Sequence, residues 1–360
     1  MAKKINFYTL EKEELISFLD ALGEKKYRAN QLWKWVYTKG IKSFDEMSDI
    51  GASLKDKLNS SLEMLRLEKH THQVSEDGTQ KWLFNLKDNK KIETVFIPEE
   101  DRGTLCISSQ VGCTLACSFC YTGTMPLVRN LTVDEIVAQV LSVKDSLSDW
   151  NFNNDSRKIT NIVFMGMGEP LYNYETVLKA SKILLDNEGL CYSRRKITLS
   201  TSGVVPIIEK LKTDLEVSLA ISLHAVNDKL RNILVPINKK WPIKELISVL
   251  KNYPGVNNSR RITFEYVMLD GINDSIEDAK ILAKILKPLH AKVNLIPFNP
   301  WPGSKYKCSS ENKIKLFADE VCYKGGIIAT VRNPRGQDIL AACGQLRSNS
   351  VRLRKEKVII

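Results

Sequence analysis

From residue 105 to residue 331, short apolar runs alternate with stretches of helical periodicity, and few architectures satisfy that alternation. The strand-like runs are 105–109, 159–165, 196–201, 216–224, 261–269, 292–298 and 327–331. Helical patterns lie between most of them. One opens after residue 131 with Thr132-Val-Asp-Glu135, a capping box with acids in its first turn. Another opens after residue 274 with Ser275 and carries Ile281, Leu282, Ile285, Leu286 and Leu289. Strand–helix alternation implies a parallel sheet. Six or seven such units imply an α/β barrel, closed or partly open, whose chemistry gathers at the C-terminal ends of the strands.

The residues before the alternation read differently. Leu15, Ile16, Phe18, Leu19 and Leu22 share a helical face over 11–22, and Leu32, Trp33, Val36 and Tyr37 do so over 28–39. A third helix is predicted over 54–62. Residues 81–86 and 91–97 alternate about Asp88-Asn89 and predict a β-hairpin. The predicted organisation is a helical accessory region over 1–63 and a hairpin extension over 64–98. The barrel core follows over 99–346, ending in a cysteine loop, and a basic tail covers 347–360.

A chain of 360 residues accommodates a barrel with an appendage and buries a core without disulfides. With 43% apolar and 26% charged residues it is not a disordered chain. Neither a fixed repeat, a signal peptide nor a membrane-length apolar run is evident, so a soluble cytoplasmic protein is expected. In a reducing compartment the eight cysteines are better read as metal ligands or reactive groups than as disulfides.

Three of them stand in Cys113-Thr-Leu-Ala-Cys117-Ser-Phe-Cys120, just after the first barrel strand. Three thiolates on one loop suit three corners of a cubane iron–sulfur cluster. A zinc site completed by a fourth ligand satisfies the same spacing. Cys106 lies on the first strand, and Cys343 lies in the small-residue loop Ala341-Ala-Cys-Gly-Gln345. A lone cysteine is more often a small core residue than a reactive one.

CxxxCxxC after the first strand of an α/β barrel resembles the radical S-adenosylmethionine (SAM) superfamily, in which SAM chelates the unique iron. Met165-Gly-Met-Gly-Glu-Pro170 resembles that superfamily's glycine-rich segment. Over nearly its whole length the chain resembles the RlmN/Cfr family of radical SAM RNA methyltransferases. The matching stretches include Arg28-Ala-Asn-Gln-Leu-Trp33, Ile92-Glu-Thr-Val95, Cys106-Ile-Ser-Ser-Gln-Val-Gly-Cys113, Thr198-Leu-Ser-Thr-Ser-Gly203, Ser222-Leu-His224, Asn299-Pro300 and Ala341–Leu346.

The resemblance implies a partial barrel of the radical SAM type, with Cys113, Cys117 and Cys120 holding a [4Fe–4S] cluster. It implies SAM contacts from Gly168, Glu169, Ser200, Ser222, Leu223, His224 and Asn299. It further implies two SAM molecules per turnover. The first methylates Cys343; the second yields a 5′-deoxyadenosyl radical that takes a hydrogen from the methylthioether. The resulting carbon radical adds to adenine and links protein to RNA. A base, Glu93 or its rival Cys106, removes the ring proton. Cys106 then attacks the Cys343 sulfur, releasing the methylated base and leaving a transient disulfide.

The net charge of +11 agrees with an RNA partner. Lys25, Lys26, Arg28, Lys34 and Lys39 surround Tyr27, Trp33, Trp35 and Tyr37, a candidate stacking surface, although two tryptophans two residues apart cannot share one helical face. Arg347, Arg352, Arg354, Lys355 and Lys357 make the tail basic. Within the family, Glu169-Pro170-Leu171 resembles the branch that methylates carbon 2 of adenosine 2503 in 23S rRNA and adenosine 37 in tRNA. The other branch methylates carbon 8 of the ribosomal adenosine and confers antibiotic resistance. The implied partners are protein-poor or naked 23S rRNA, tRNA and an electron donor such as flavodoxin or ferredoxin, with no membrane, and the protein is expected as a monomer. A zinc-stabilised RNA-binding protein without enzymatic activity is the alternative from another class.

Overall fold

The computed structural model describes residues 4–150, 157–258 and 260–348. Its centre is a ten-stranded sheet whose strands lie side by side in chain order. β1 (Glu68–Val74), β2 (Gln80–Asn85), β3 (Lys91–Glu99) and β4 (Arg102–Cys106) pair antiparallel. From β4 onward every pairing is parallel: β5 (Asn161–Phe164), β6 (Ile197–Thr201), β7 (Ser218–Ser222), β8 (Ile262–Met268), β9 (Ala291–Pro297) and β10 (Ile328–Val331). β4 gives its second edge to β3, not to β10, so the seven parallel strands form a partial barrel that stays open.

Each predicted barrel strand is present with its ends shifted by a few residues. Helices cross between them: α4 (Val133–Leu147), α5 (Tyr174–Leu185), α6 (Val205–Asp214), α7 (Asp228–Leu234), α8 (Ile243–Lys251), α9 (Ile276–Leu286) and α10 (Glu311–Asp319). The capping boxes at Thr132/Glu135 and Ser275/Asp278 are formed, each satisfying amide donors at its helix start.

Two expectations change. The extension is more than a hairpin: β1 adds a third strand, and β3 pairs with β4, so the extension continues the barrel sheet. β1 escaped notice because Glu-Lys-His-Thr-His-Gln-Val has no apolar alternation, and all seven residues are exposed on the sheet edge. The turn at Asp88-Asn89 is as predicted, with Asn89 in the left-handed region (φ 59°).

The amino-terminal helices are α1 (Lys12–Ala21), α2 (Tyr27–Tyr37) and α3 (Ala52–Ser61). They share a continuous apolar core with the barrel. Trp33 and Tyr37 are buried in it, the Trp33 indole N–H donating to Asp186 at 2.9 Å. They are therefore core, and only Tyr27 and Trp35 of that aromatic set retain surface. The Trp35 ring is already covered by the Lys39 ammonium, 3.3 Å from its centroid. Among the described residues no helix is long and apolar enough to cross a membrane. The tail beyond residue 348, with Arg352, Arg354, Lys355 and Lys357, lies outside the described residues.

Candidate active site

One cavity opens at the C-terminal ends of the parallel strands. Cys113, Cys117, Cys120, Gly168, Glu169, Ser200, Ser222, His224, Asn299 and Cys343 all line it, although they come from segments spread over 231 positions of the chain. Fold and chemistry thus converge on the end that the barrel rule selects.

The cluster loop is closed at its base, where Gln110–Val111 pairs with Arg129–Asn130. Inside it the Ser118 amide donates to Leu234 O at 3.1 Å, tying the loop to α7. Burial raises all three thiols, Cys113 to about 12, and the negative charges of Cys117 and Cys113 also feel that of Cys120. Such thiolates need positive charge at their centre, which metal ions supply. Among the described residues no three His, Cys, Asp or Glu side chains converge on a point that holds a single ion. A cubane instead takes its thiolates on separate irons. The loop therefore fits a cluster better than one zinc. Fully buried Arg231 lowers the Cys117 thiol from α7 while donating to Ser202, Ser222 and Leu223 carbonyls and to Asn238.

The glycine segment has a second physical reason beside ligand approach. A Cβ on Gly168 (φ 101°) would lie 2.5 Å from the Gln110 Cβ, and one on Gly166 2.7 Å from Ile107 O. These glycines let the end of β5 press against the stretch leading into the cluster loop. Glu169 is buried, and its carboxylate accepts from the Leu171 and Ser202 amides at 3.2 and 2.8 Å. Burial raises its carboxyl against those donors.

His224 lines the cavity with φ 59°. Its Nδ1 accepts from the Val267 amide at 3.0 Å, which leaves the proton on Nε2. Burial, with Arg231 nearby, lowers its pKa to about 3. The ring therefore stays neutral in the folded protein while it titrates near 6.5 in the unfolded chain. Protons bind the unfolded state first, so its contribution is complete above pH 6.5 and is lost as pH falls toward 3. Denaturant unfolding between pH 6.5 and 5 should show a His224-dependent slope approaching ~1.4 kcal/mol per pH unit. His224→Gln should flatten it; an unchanged slope would assign the acid sensitivity elsewhere.

Leu223, expected among the ligand contacts, is fully buried and does not line the cavity. Its amide donates to Glu265 O at 3.1 Å and its carbonyl accepts from Arg231 Nε at 3.0 Å.

The cysteine loop near the carboxyl end folds back over the cluster loop. Tyr121 N donates to Gly344 O at 2.7 Å, and Thr122 Oγ1 to Leu346 O at 2.6 Å. Gln345 Nε2 donates to Pro300 O at 2.7 Å, while Asn299 Nδ2 reaches Cys343 O at 3.4 Å. Tyr121 stacks on Trp301 at 4.7 Å between centroids. Cys343 is an exposed residue at the cavity. Desolvation raises its thiol to about 11, and Arg332 draws it down.

Cys106 and Glu93 are not among the residues that line the cavity. Cys106 is buried at the end of β4 opposite Val95. Its thiol is raised to about 12 by burial and then by the negative charge of Cys343, so the two sulfurs are electrostatic neighbours. Glu93 is buried, not solvated as an isolated strand glutamate would be. Burial raises its carboxyl, and Lys81 at 3.2 Å with the Arg347 amide at 2.7 Å draws it back. Lys81 also donates to Leu340 O at 3.2 Å, so the extension clasps the cysteine loop. Three residues of this site went unread in the sequence: Lys81, Arg231 and Glu265. Only Glu265 carried a signal, an acid inside the buried run Phe264-Glu-Tyr266 of a core strand.

A three-cysteine loop, a glycine-rich second strand end and an open α/β barrel define a radical SAM enzyme, and residues 107–282 match the radical SAM superfamily. Residues 5–64 match the ribosomal RNA large subunit methyltransferase N-terminal domain. A dual-specificity RNA methyltransferase RlmN of Bradyrhizobium diazoefficiens is 54% identical over 355 residues, covering 96% of this chain and 88% of that protein. The one of Agrobacterium fabrum is 52% identical over 373 residues, covering 99% and 91%. A crystal structure of a radical SAM methyltransferase from Sphaerobacter thermophilus superposes with a TM-score of 0.88 at 44% identity, over 95% of this chain and 99% of that one. The chain belongs to the RlmN family of radical SAM RNA methyltransferases, enzymes that use a [4Fe–4S] cluster and SAM.

Proposed function

We propose that the protein methylates carbon 2 of adenosine 2503 in 23S rRNA and of adenosine 37 in tRNA, with Cys343 as the carrier of the new carbon. The observation that carries this reading is that Cys343 lines the same cavity as Cys113, Cys117 and Cys120. When bound, the cluster and SAM supply a methyl group and a hydrogen-abstracting radical. Cys113, Cys117 and Cys120 hold the cluster. Gly168, Glu169, Ser200, Ser222, His224 and Asn299 surround SAM, with the neutral His224 offering Nε2–H as a donor.

Cys343 presents the carbon that joins adenine. Glu93 accepts the ring proton, its burial making the carboxylate a stronger base, and the unpaired electron left on the adduct would return to the electron donor, leaving a closed-shell thioether between Cys343 and the base. Cys106 thiolate attacks Cys343 sulfur; a sulfur–sulfur bond forms, the sulfur–carbon bond breaks, and its electron pair returns to the product carbon, which takes a proton. An external thiol or dithiol then reduces the disulfide. We further read the protein as a cytoplasmic monomer acting on protein-poor 23S rRNA and on tRNA, with flavodoxin or ferredoxin as electron donor.

Carbon 2 is favoured over carbon 8 by Glu169-Pro170-Leu171, in which Pro170 starts a buried helical turn after Glu169. Mass spectrometry of nucleosides from treated rRNA and tRNA tests this. 2-Methyladenosine in both substrates is expected, and 8-methyladenosine would overturn the carbon-2 reading.

A further inference from the structure

One buried ion pair grips the Cys343 loop at both ends. Lys81 on β2 is 7% exposed and Glu93 on the neighbouring β3 is 5% exposed. Lys81 Nζ and Glu93 Oε1 stand 3.2 Å apart. Before Cys343, Leu340 O accepts from Lys81 Nζ at 3.2 Å; after it, the Arg347 amide donates to Glu93 Oε2 at 2.7 Å. Leu340 lies in the left-handed region (φ 52°), a conformation that a leucine keeps only where its surroundings hold it. The Arg347 guanidinium sits over the Tyr121 ring, 4.7 Å from its centroid and one residue past Cys120 in the chain. The root of the loop is anchored separately. Ser75 Oγ donates to Asp338 Oδ1 at 2.6 Å, and the Gly336 amide donates to Asp77 Oδ2 at 2.9 Å.

Both oxygens of the Glu93 carboxylate are thus in use, Oε1 by Lys81 and Oε2 by Arg347. Neutralising that carboxylate leaves the Lys81 ammonium buried without its counter-charge, which is strongly unfavourable. A protonated carboxyl also turns one acceptor oxygen into an O–H donor. The ammonium and the Arg347 amide are both donors, so one of the two contacts gives way. We propose that Lys81 is a positioning residue for the reaction: with Glu93 it latches the Cys343 loop, and a proton on Glu93 opens the latch. The timing of the opening rests on the proton-acceptor reading of Glu93 given above. There the proton comes from adenine carbon 2 once the base is bonded through the new carbon to Cys343. The loop is held while the carbon is delivered, and it comes free when Cys106 has to reach the Cys343 sulfur.

Hydrogen–deuterium exchange, read by mass spectrometry on full-length, cluster-reconstituted protein under anaerobic conditions, tests the latch without SAM or RNA. Glu93→Gln imitates the protonated carboxyl at nearly constant shape. It should speed exchange over 340–347 about tenfold or more, the effect of losing a hydrogen bond to a charged group. Lys81→Met should do the same, and Lys81→Arg should keep the wild-type rate. The double variant Lys81→Met/Glu93→Gln should be no faster than either single, because the two side chains act as one unit. Exchange over α4, and over 75–79 at the separate anchor, should stay at wild-type rates. Unchanged exchange over 340–347 in both single variants overturns the latch. Equal acceleration over α4 also overturns it, since the pair would then support the whole fold and not the loop. Transfer of labelled methyl to RNA by the same Glu93→Gln protein separates the latch from the base. Lost methylation with unchanged loop exchange defeats the latch and keeps Glu93 as the proton acceptor. Faster loop exchange with normal methylation keeps the latch and defeats that reading of Glu93.

Discussion

Replacing Cys343 with alanine should stop RNA methylation, a loss of about 10⁴-fold or more, as expected when a covalent nucleophile is removed. Iron content and fold should be retained. The loop that carries Cys343 is held by other groups: Gln345 to Pro300, Tyr121 to Gly344, and Thr122 to Leu346. Cys343 is itself an exposed residue, where truncation shifts stability by only about 0.5 kcal/mol. Serine should fail equally, because the step needs a sulfur that first accepts a methyl group and is later attacked by a second thiolate. Transfer of label from methyl-labelled SAM to rRNA, set beside iron analysis and a melting curve, checks this. Residual turnover in the alanine variant would mean that another atom carries the carbon.

The ease with which the sequence disclosed parts of this site follows how each part is held. The barrel strands were visible because strands covered by helices on one face and lining a core on the other are nearly continuous apolar runs. The cluster loop was visible because its three ligands fall within eight consecutive residues. Glu93 was ambiguous for the opposite reason. Its burial is produced by Lys81 across β2–β3 and by the Arg347 amide, 254 positions away, and no local pattern encodes that contact. Trp33 and Tyr37 looked like a stacking surface because basic residues surround them in sequence; on the helix the same spacing turns the aromatics inward and the lysines outward. Cys106 and Cys343 could be paired only through family resemblance, since 237 positions separate them and their proximity is a product of sheet order and of the returning loop.

Cys106→Ala should give a different failure from Cys343→Ala: chemistry begins and does not end. With Cys343 intact the carbon is still delivered to adenine, so RNA becomes bonded to protein and accumulates there, up to one equivalent. On a denaturing gel the protein should migrate with the added mass of the RNA fragment, and nuclease treatment should leave a nucleotide on the peptide containing Cys343. Cys106 is buried at the end of β4, and the negative charge of Cys343 acts on its thiol. Burial raises the Cys106 thiol to about 12, so it is a reluctant thiolate in the resting protein, and Arg332 lowers both sulfurs. The trapped species also separates the two candidate bases. With RNA deuterated at carbon 2 of the target adenosine, loss of deuterium from the Cys106→Ala adduct assigns the proton acceptor to Glu93, and retention assigns it to Cys106. Normal multiple turnover by Cys106→Ala would remove Cys106 from the mechanism.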